Sequence, residues 1–174
     1  TLQEIYDRFM RNGVWHPWRC LTLGASIPTW LGAANQSATD IPDKGRYYHA
    51  SATNYKDIYV IGGYNRDNVA MSTNYCYSTT GNSWSTKTAC PTAFAKGSAD
   101  SYNGKIYVAC GEVSYNPSNK FYLYDPSANT WTAKANLTAA LSSGTLSSTY
   151  SGLVFIGGNN TSWAAVKTVY SYDP

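Results

Sequence analysis

The residues of this chain that could carry out catalysis are few and lie far apart. The two histidines, His16 and His49, stand in different segments, and the sequence has no Gly-x-Ser-x-Gly turn to expose a serine nucleophile. His49 falls in an alternating strand pattern, which favours a structural role for its imidazole. Glu112 has no second carboxylate beside it, so the paired acids of a glycosidase are missing. The sequence therefore predicts no catalytic residue and no cofactor.

The cysteines also fail to form a metal-binding pattern. Cys20, Cys76, Cys90 and Cys110 include no Cys-x-x-Cys pair, which is the spacing that zinc sites and redox motifs use. We interpret them as buried thiols that act as small apolar residues. A Cys76–Cys90 bridge between adjacent strands is the alternative, and spacing alone does not decide it.

Three markers recur along the chain at a nearly constant step. They are an apolar run closed by two small residues (58–63, 106–111 and 153–158), a tyrosine (Tyr77, Tyr124 and Tyr172) and a tryptophan (Trp84 and Trp131). The tyrosines stand 124 − 77 = 47 and 172 − 124 = 48 residues apart, and the other markers keep the same step. A repeat of about 50 residues with this content is typical of propeller blades.

Each repeat is predicted to be a small antiparallel sheet. The apolar runs are rich in β-branched and aromatic residues and are bounded by turn formers, as buried strands are. We expect a first strand before each run, at 46–53, 96–101 and 143–149, and loops after the runs at 64–72, 112–118 and 159–165. The tyrosine strand and the tryptophan strand complete the sheet, joined by turn residues such as Asp125-Pro126.

The second copy carries the fullest resemblance to a known family. Its segment Tyr124-Asp125-Pro126, followed by Asn129-Thr130-Trp131, resembles the YDP…NTW segment of kelch repeats. The resemblance covers about three repeats over residues 42–174. It implies an all-β fold of kelch-type propeller blades, here a partial ring of about three blades. Because propellers have at least four blades, we expect the blades to continue beyond the sequence given.

The first residues differ from the repeats. Apolar residues at helical spacing predict a short amphipathic helical arm within residues 1–19, which Gly13 would end. We interpret this segment as a docking arm whose aromatic anchors are Phe9, Trp15 and Trp18, or alternatively as a helix folded back on its own propeller.

The chain is thus predicted to have three parts. Residues 1–19 are the helical and aromatic arm, residues 20–45 are a connection rich in Gly, Ala, Ser and Pro, and residues 46–174 are the propeller blades.

Composition narrows the classes of partner. Charged residues make up 13 % of the chain, against about 25 % in ordinary domains, and the net charge of +3 comes without a Lys/Arg run. We therefore expect no nucleic-acid partner, and no membrane span because no apolar stretch reaches about 18 residues. A surface poor in charge and rich in Tyr, Ser, Thr and Asn is common in extracellular and virion fibre proteins.

The predicted loops that follow the apolar runs supply the candidate binding residues. Loops on a rigid scaffold are where binding residues concentrate. The candidates are Tyr64, Asn65 and Arg66 in the first copy, Tyr115 and Asn116 in the second, and Asn159, Asn160 and Trp163 in the third.

These observations predict a non-enzymatic module whose loops bind a protein or a glycan. We expect it to work with other subunits in a larger extracellular or virion assembly, such as a tail fibre. The resemblance keeps two alternatives open. One is a cytoplasmic kelch adaptor that recruits substrates to a ubiquitin ligase, and the other is a fragment of an enzyme that resembles galactose oxidase.

Overall fold

A computed structural model of the chain describes residues 10–11, 14–15, 39–109 and 111–174. The chain divides into two units, residues 1–37 and 38–174. In the first unit, β1 (Met10–Arg11) pairs antiparallel with β2 (Val14–Trp15). The predicted helix is therefore wrong at Met10 and Arg11, where strand pairing with Val14 and Trp15, both good strand formers, prevails. The rest of that arm, including Phe9 and Trp18, lies outside the described residues, as does the side chain of Trp15.

The second unit consists of antiparallel sheets that follow one another along the chain. Blade 1 contains four strands in chain order: β3 (Ala50–Asn54), β4 (Asp57–Ile61), β5 (Asn74–Ser78) and β6 (Ser83–Lys87). In blade 2 the strands β7 (Ser98–Tyr102) and β8 (Lys105–Ala109) come first. A short hairpin of β9 (Glu112–Val113) and β10 (Asn116–Pro117) precedes the blade's last two strands, β11 (Phe121–Asp125) and β12 (Thr130–Ala133). Blade 3 contains three strands: β13 (Thr145–Thr149), β14 (Gly152–Ile156) and β15 (Val169–Tyr172).

The first strand of each blade begins later than the sequence predicts. Tyr48, Lys96 and Ser143 precede β3, β7 and β13, and all three have left-handed backbone angles, with φ of 54°, 53° and 57°. A strand cannot run through such a residue, so the first strands begin two residues further on. His49, predicted within a strand, consequently lies just before β3.

The same three residues connect the blades. The Lys96 N–H donates to the Tyr48 carbonyl over 2.8 Å, and the Ser143 N–H donates to the Lys96 carbonyl over 2.8 Å. The first strands β3, β7 and β13 lie side by side along this line of backbone hydrogen bonds. Blades 1, 2 and 3 are therefore held in a fixed relation at their inner edges.

The hydrophobic core lies between blades rather than within them. One buried cluster joins blades 1 and 2 and includes Tyr59, Ile61, Phe94, Ile106 and Tyr124. A second joins blades 2 and 3 and includes Tyr107, Phe121, Leu141, Leu153 and Phe155. This placement is expected for sheets that bury each face against the next repeat.

The glycine that ends each apolar run is required by the backbone and by its neighbours. Gly111 has φ of +108°, and a Cβ there would lie 2.6 Å from the Ala95 carbonyl oxygen. Gly158 has φ of +100°, and a Cβ there would lie 2.6 Å from the Ser142 carbonyl oxygen. No L side chain fits these contacts without movement of the backbone.

The repeated tryptophan joins the outer strand of a blade, through a hydrogen bond, to the linker that precedes the first strand of the same blade. The Trp131 indole N–H donates to the Thr88 carbonyl over 2.8 Å, and its ring lies 4.9 Å from that of Tyr124. Asn129 Oδ1 accepts hydrogen bonds from the Tyr124 hydroxyl (2.7 Å) and from the Thr88 N–H (2.9 Å). In blade 1, Trp84 and Asn82 make the equivalent contacts with Thr39.

The two described cysteines are buried free thiols, as predicted. Cys76 and Cys90 form no disulfide with each other, and burial raises the pKa of Cys90 to about 11. Within the described parts of the chain, no helix is long and apolar enough to cross a membrane.

Candidate functional site

The loops after the apolar runs and the turns before the first strands meet at one end of the blades. Three isolated antiparallel bridges join them, Tyr47 with Tyr64, Ala95 with Glu112, and Ser142 with Asn159. This end is called the loop face below. The opposite end carries the hairpin turns between the first two strands of each blade and is called the hairpin face.

An ion pair with a buried carboxylate lies on the loop face. Glu112 is 1 % exposed, and its Oε1 lies 2.7 Å from Lys96 Nζ. The Tyr64 hydroxyl donates to Glu112 Oε2 over 2.9 Å. Burial, and then the hydrogen bond to Glu112, holds the pKa of Tyr64 well above its ordinary value, so the phenol stays protonated and keeps donating.

The contact between Lys96 and Glu112 is ionic but poorly directed. Although the two atoms are close, Oε1 receives no hydrogen bond of acceptable geometry from any described residue. A buried carboxylate oxygen without a directed donor is uncommon, because desolvation of the charge is then only partly offset.

Aromatic rings enclose the lysine ammonium. Lys96 Nζ lies 5.4 Å from the centre of the Tyr48 ring and 5.5 Å from the centre of the Trp163 ring. Both distances are within the range of cation–π attraction. Tyr48 and Trp163 are 58 % and 50 % exposed, so solvent reaches the outer side of each ring.

Three more tyrosines extend this surface across blades 1 and 2. The Tyr64 ring lies 5.6 Å from that of Tyr47 and stacks on that of Tyr115 at 5.7 Å with an interplanar angle of 19°. The Tyr47 hydroxyl donates to the Asn68 side chain, and the Tyr115 hydroxyl donates to the Asn68 carbonyl over 2.6 Å. These rings and the two over Lys96 form the aromatic cluster, which consists of Tyr47, Tyr48, Tyr64, Tyr115 and Trp163.

A groove adjoins the aromatic cluster where blade 1 meets blade 2. Its walls include Tyr64 and Val69 of blade 1, Pro91 of the linker, and Val113 and Tyr115 of the β9–β10 hairpin. The groove is therefore lined largely by apolar and aromatic side chains and opens beside the stacked tyrosines.

Two asparagines among the predicted binding residues instead hold the loops in shape. Asn65 Oδ1 accepts the N–H groups of Asp67 and Val69, both at 2.9 Å. Asn160 Oδ1 accepts the N–H groups of Ser162 and Ala164, both at 3.0 Å. Such side-chain-to-backbone bonds stabilise a turn locally.

The remaining loop candidates are distributed as follows. Tyr64, Tyr115 and Trp163 belong to the aromatic cluster, and Arg66 is exposed in the loop after β4. Asn116 donates to the Ser114 carbonyl over 2.9 Å within the β9–β10 turn, which occupies the segment predicted as a loop. Asn159 pairs through its backbone with Ser142.

Three members of this surface were not predicted from the sequence as binding residues: Tyr47, Tyr48 and Lys96. Tyr48 and Lys96 stand 48 residues apart at equivalent left-handed positions of blades 1 and 2. That equivalence is visible only after the repeats are aligned on the turns before the first strands.

No metal site accompanies the aromatic cluster. Within residues 39–109 and 111–174, no group of three or more His, Cys, Asp or Glu side chains is placed to hold a metal ion.

Partial burial, and then the positive charge of Arg46, lowers the pKa of His49 below 6.5.

The chain resembles several known proteins, among them a curated relative and a solved structure. Kelch-like protein 23 from Mus musculus is 27 % identical over 152 residues, which cover 83 % of this chain and 25 % of that protein. The solved structure of YjhT aligns with a TM-score of 0.68 and 17 % identity, over 78 % of this chain and 50 % of that one. The chain thus spans a quarter of the length of the curated relative and half that of the solved structure.

The family assignment rests on the repeats themselves. The Kelch motif family model matches residues 45–91 and 97–138, which contain blades 1 and 2 with their connecting segments and together make up just over half of the chain. The consecutive antiparallel sheets of the structure resemble kelch blades. The chain therefore belongs to the kelch repeat family, whose repeats generally mediate protein binding.

Proposed function

We propose that this chain is a protein-binding module without turnover of its own, and that it binds its partner at the loop face. The observation that carries the proposal is the aromatic cluster, which brings together five rings from three blades. Tyr48 and Trp163 lie over the Lys96 ammonium and Tyr64 donates to Glu112, while Tyr47 and Tyr115 pack on the Tyr64 ring. Glu112, the buried acid of this surface, is already engaged by Tyr64 and Lys96, which supports a role in positioning rather than in proton transfer.

The exposed rings have the properties of interface anchors. Tyr and Trp give a large contact area at a small entropic cost and dominate the binding energy of many interfaces. Tyr115 is 61 % exposed and Trp163 is 50 % exposed, yet both lie on loops fixed by backbone and side-chain hydrogen bonds. A partner would therefore bury these rings without first having to order the loops.

The groove favours a protein segment over a glycan as the ligand. Its lining includes Tyr64, Val69 and Val113, and such apolar walls suit the apolar side chains of a peptide. The charge-poor composition, with 13 % charged residues, supports an extracellular or virion setting as part of the same proposal.

A displayed library of random peptides, selected on the 174-residue chain, tests the proposal. Selected peptides should lose about tenfold or more in affinity for the Tyr115→Ala and Trp163→Ala variants, as truncated anchors do. Tyr150→Ala is the matched control, because Tyr150 is fully exposed on the hairpin face. Peptides that respond to Tyr150→Ala but not to the other two variants would contradict the proposal.

A glycan array probed with the same three variants supplies the competing result. Binding of a sugar that depends on Tyr115 and Trp163, together with no peptide selection, would replace the protein partner with a glycan.

A further inference from the structure

The buried acid on the loop face is particular to blade 2. Glu112 occupies the position that Tyr64 has in blade 1 and Asn159 has in blade 3, and each of the three forms the same bridge to the turn before its first strand. Lys96 likewise occupies the position of Tyr48 and Ser143. Neither blade 1 nor blade 3 has a charge at these positions, so the ion pair is not part of the repeat pattern.

The surroundings of Glu112 are those of a site for a cation. Its Oε2 is held by the Tyr64 hydroxyl at 2.9 Å, while Oε1 is buried and receives no directed hydrogen bond from a described residue. The faces of Tyr48 and Trp163 border the same space, and aromatic faces attract cations. A buried carboxylate flanked by two aromatic rings is complementary to a basic side chain.

Lys96 fills this space incompletely. Its ammonium lies 2.7 Å from Oε1 without a directed hydrogen bond, and its side chain remains 27 % exposed. The Lys96 backbone is fixed by its hydrogen bonds to Tyr48 and Ser143, whereas its long side chain can rotate away without disturbing them. A guanidinium, by contrast, can donate two parallel hydrogen bonds to a carboxylate and stack on a neighbouring ring.

We propose that Glu112, Tyr48 and Trp163 form a binding site for a basic side chain of the partner, arginine in particular, and that Lys96 occupies this site until the partner displaces it. The inference rests on the proposed function, because it names the partner group that the loop face recognises. Lys96 is thus an internal competitor that sets the affinity of the site.

Removal of the competitor tests the site directly. The probe is N-acetyl-arginine amide, and N-acetyl-citrulline amide is its neutral counterpart of nearly the same shape. Lys96→Met keeps most of the apolar stem but leaves the carboxylate open. In calorimetric titrations this variant should bind the arginine probe about tenfold or more tightly than it binds the citrulline probe. It should also bind the arginine probe about tenfold or more tightly than the unchanged chain does.

Two further variants isolate the cause. Lys56→Met removes a lysine from the exposed turn of the hairpin face and should leave arginine binding as weak as in the unchanged chain. Glu112→Gln combined with Lys96→Met removes the carboxylate charge and should abolish the preference for arginine over citrulline. Equal binding of the two probes by Lys96→Met would overturn the inference.

Loss of Lys96 leaves a buried charge without its ion-pair partner, so the variant could fail to fold. In that case its circular dichroism should return to that of the folded chain on addition of the arginine probe but not of the citrulline probe. No difference between the probes would again overturn the inference.

The peptide selection separates this inference from the proposed function. Selected peptides should contain an arginine or lysine whose replacement by citrulline or norleucine removes most of their affinity. Peptides that need Tyr115 and Trp163 but contain no basic residue would refute the cation site and leave the protein-binding function intact.

Discussion

At the scale of single residues, identical side chains have different tasks according to their place in the repeat. Trp131 follows the repeat, packs on the Tyr124 ring and donates to the Thr88 carbonyl. Trp163 lies in a loop, is half exposed, and its ring lies 5.5 Å from the Lys96 ammonium. Trp131 therefore stabilises blade 2, whereas Trp163 is part of the exposed surface.

Truncation of these two tryptophans should separate the two tasks. Trp131→Ala should lower the free energy of unfolding by about 3 kcal/mol, because it removes aromatic packing and a hydrogen bond. Trp163→Ala should change it by less than about 0.5 kcal/mol, as exposed substitutions do. Urea titrations measure both values, and equal losses would contradict the assigned roles.

At the scale of elements, each blade depends on the joint between its outer strand and its incoming linker. Asn129 has a left-handed backbone with φ of 54° and accepts hydrogen bonds from both the Tyr124 hydroxyl and the Thr88 N–H. Asparagine is among the few residues that adopt this conformation readily and also offer a side-chain acceptor. The turn before β12 and the linker before β7 are thereby fixed by one side chain.

Substitutions at Asn129 should separate the contribution of its side-chain hydrogen bonds from that of its left-handed backbone conformation. Asn129→Gly loses the hydrogen bonds but keeps the backbone free, whereas Asn129→Ala also strains it and should cost about 1 kcal/mol more. Asn103 is the matched control, because it has φ of 49° but no side-chain hydrogen bond with a described residue. Asn103→Gly should therefore be nearly neutral in urea titrations, and a loss equal to that of Asn129→Gly would refute this explanation.

At the scale of the whole molecule, tyrosines are buried both in the core between the blades and beneath the loop face. Tyr59, Tyr64, Tyr107 and Tyr124 are each at most 5 % exposed, and burial is the first cause that raises the pKa of all four. For Tyr124 the pKa rises to about 12 from 10.0. The folded state therefore holds these phenolic protons more tightly than the unfolded state does.

This difference predicts alkaline unfolding. A group whose pKa is raised by folding contributes its full stability below the unfolded pKa, here 10.0, and loses it as the pH rises toward the folded value. Tyrosinate absorbance and circular dichroism, followed together above pH 10.0, should show the four buried tyrosines ionising only as the chain unfolds. A single titration near pH 10.0 in a chain that stays folded would contradict the prediction.

The sequence alone determined the repeat and most of the strands, because those depend on local pattern. The apolar runs, the glycines after them and the periodic Tyr and Trp each meet a backbone or packing requirement that recurs within every blade. The kelch assignment follows from those markers and is confirmed by the family match. The prediction from local pattern was wrong at Met10 and Arg11, which pair as a strand although the apolar residues around them have helical spacing.

Only the tertiary structure decided which loop residues meet. Tyr48, Lys96 and Trp163 come from three different blades, and their rings and ammonium converge because β3, β7 and β13 are held side by side by the backbone bonds through Lys96. Glu112 has no carboxylate partner in the sequence, yet it is buried beside a lysine of the preceding turn and a tyrosine of the preceding blade. Contacts across blades depend on the angle between sheets, which no local pattern of residues encodes.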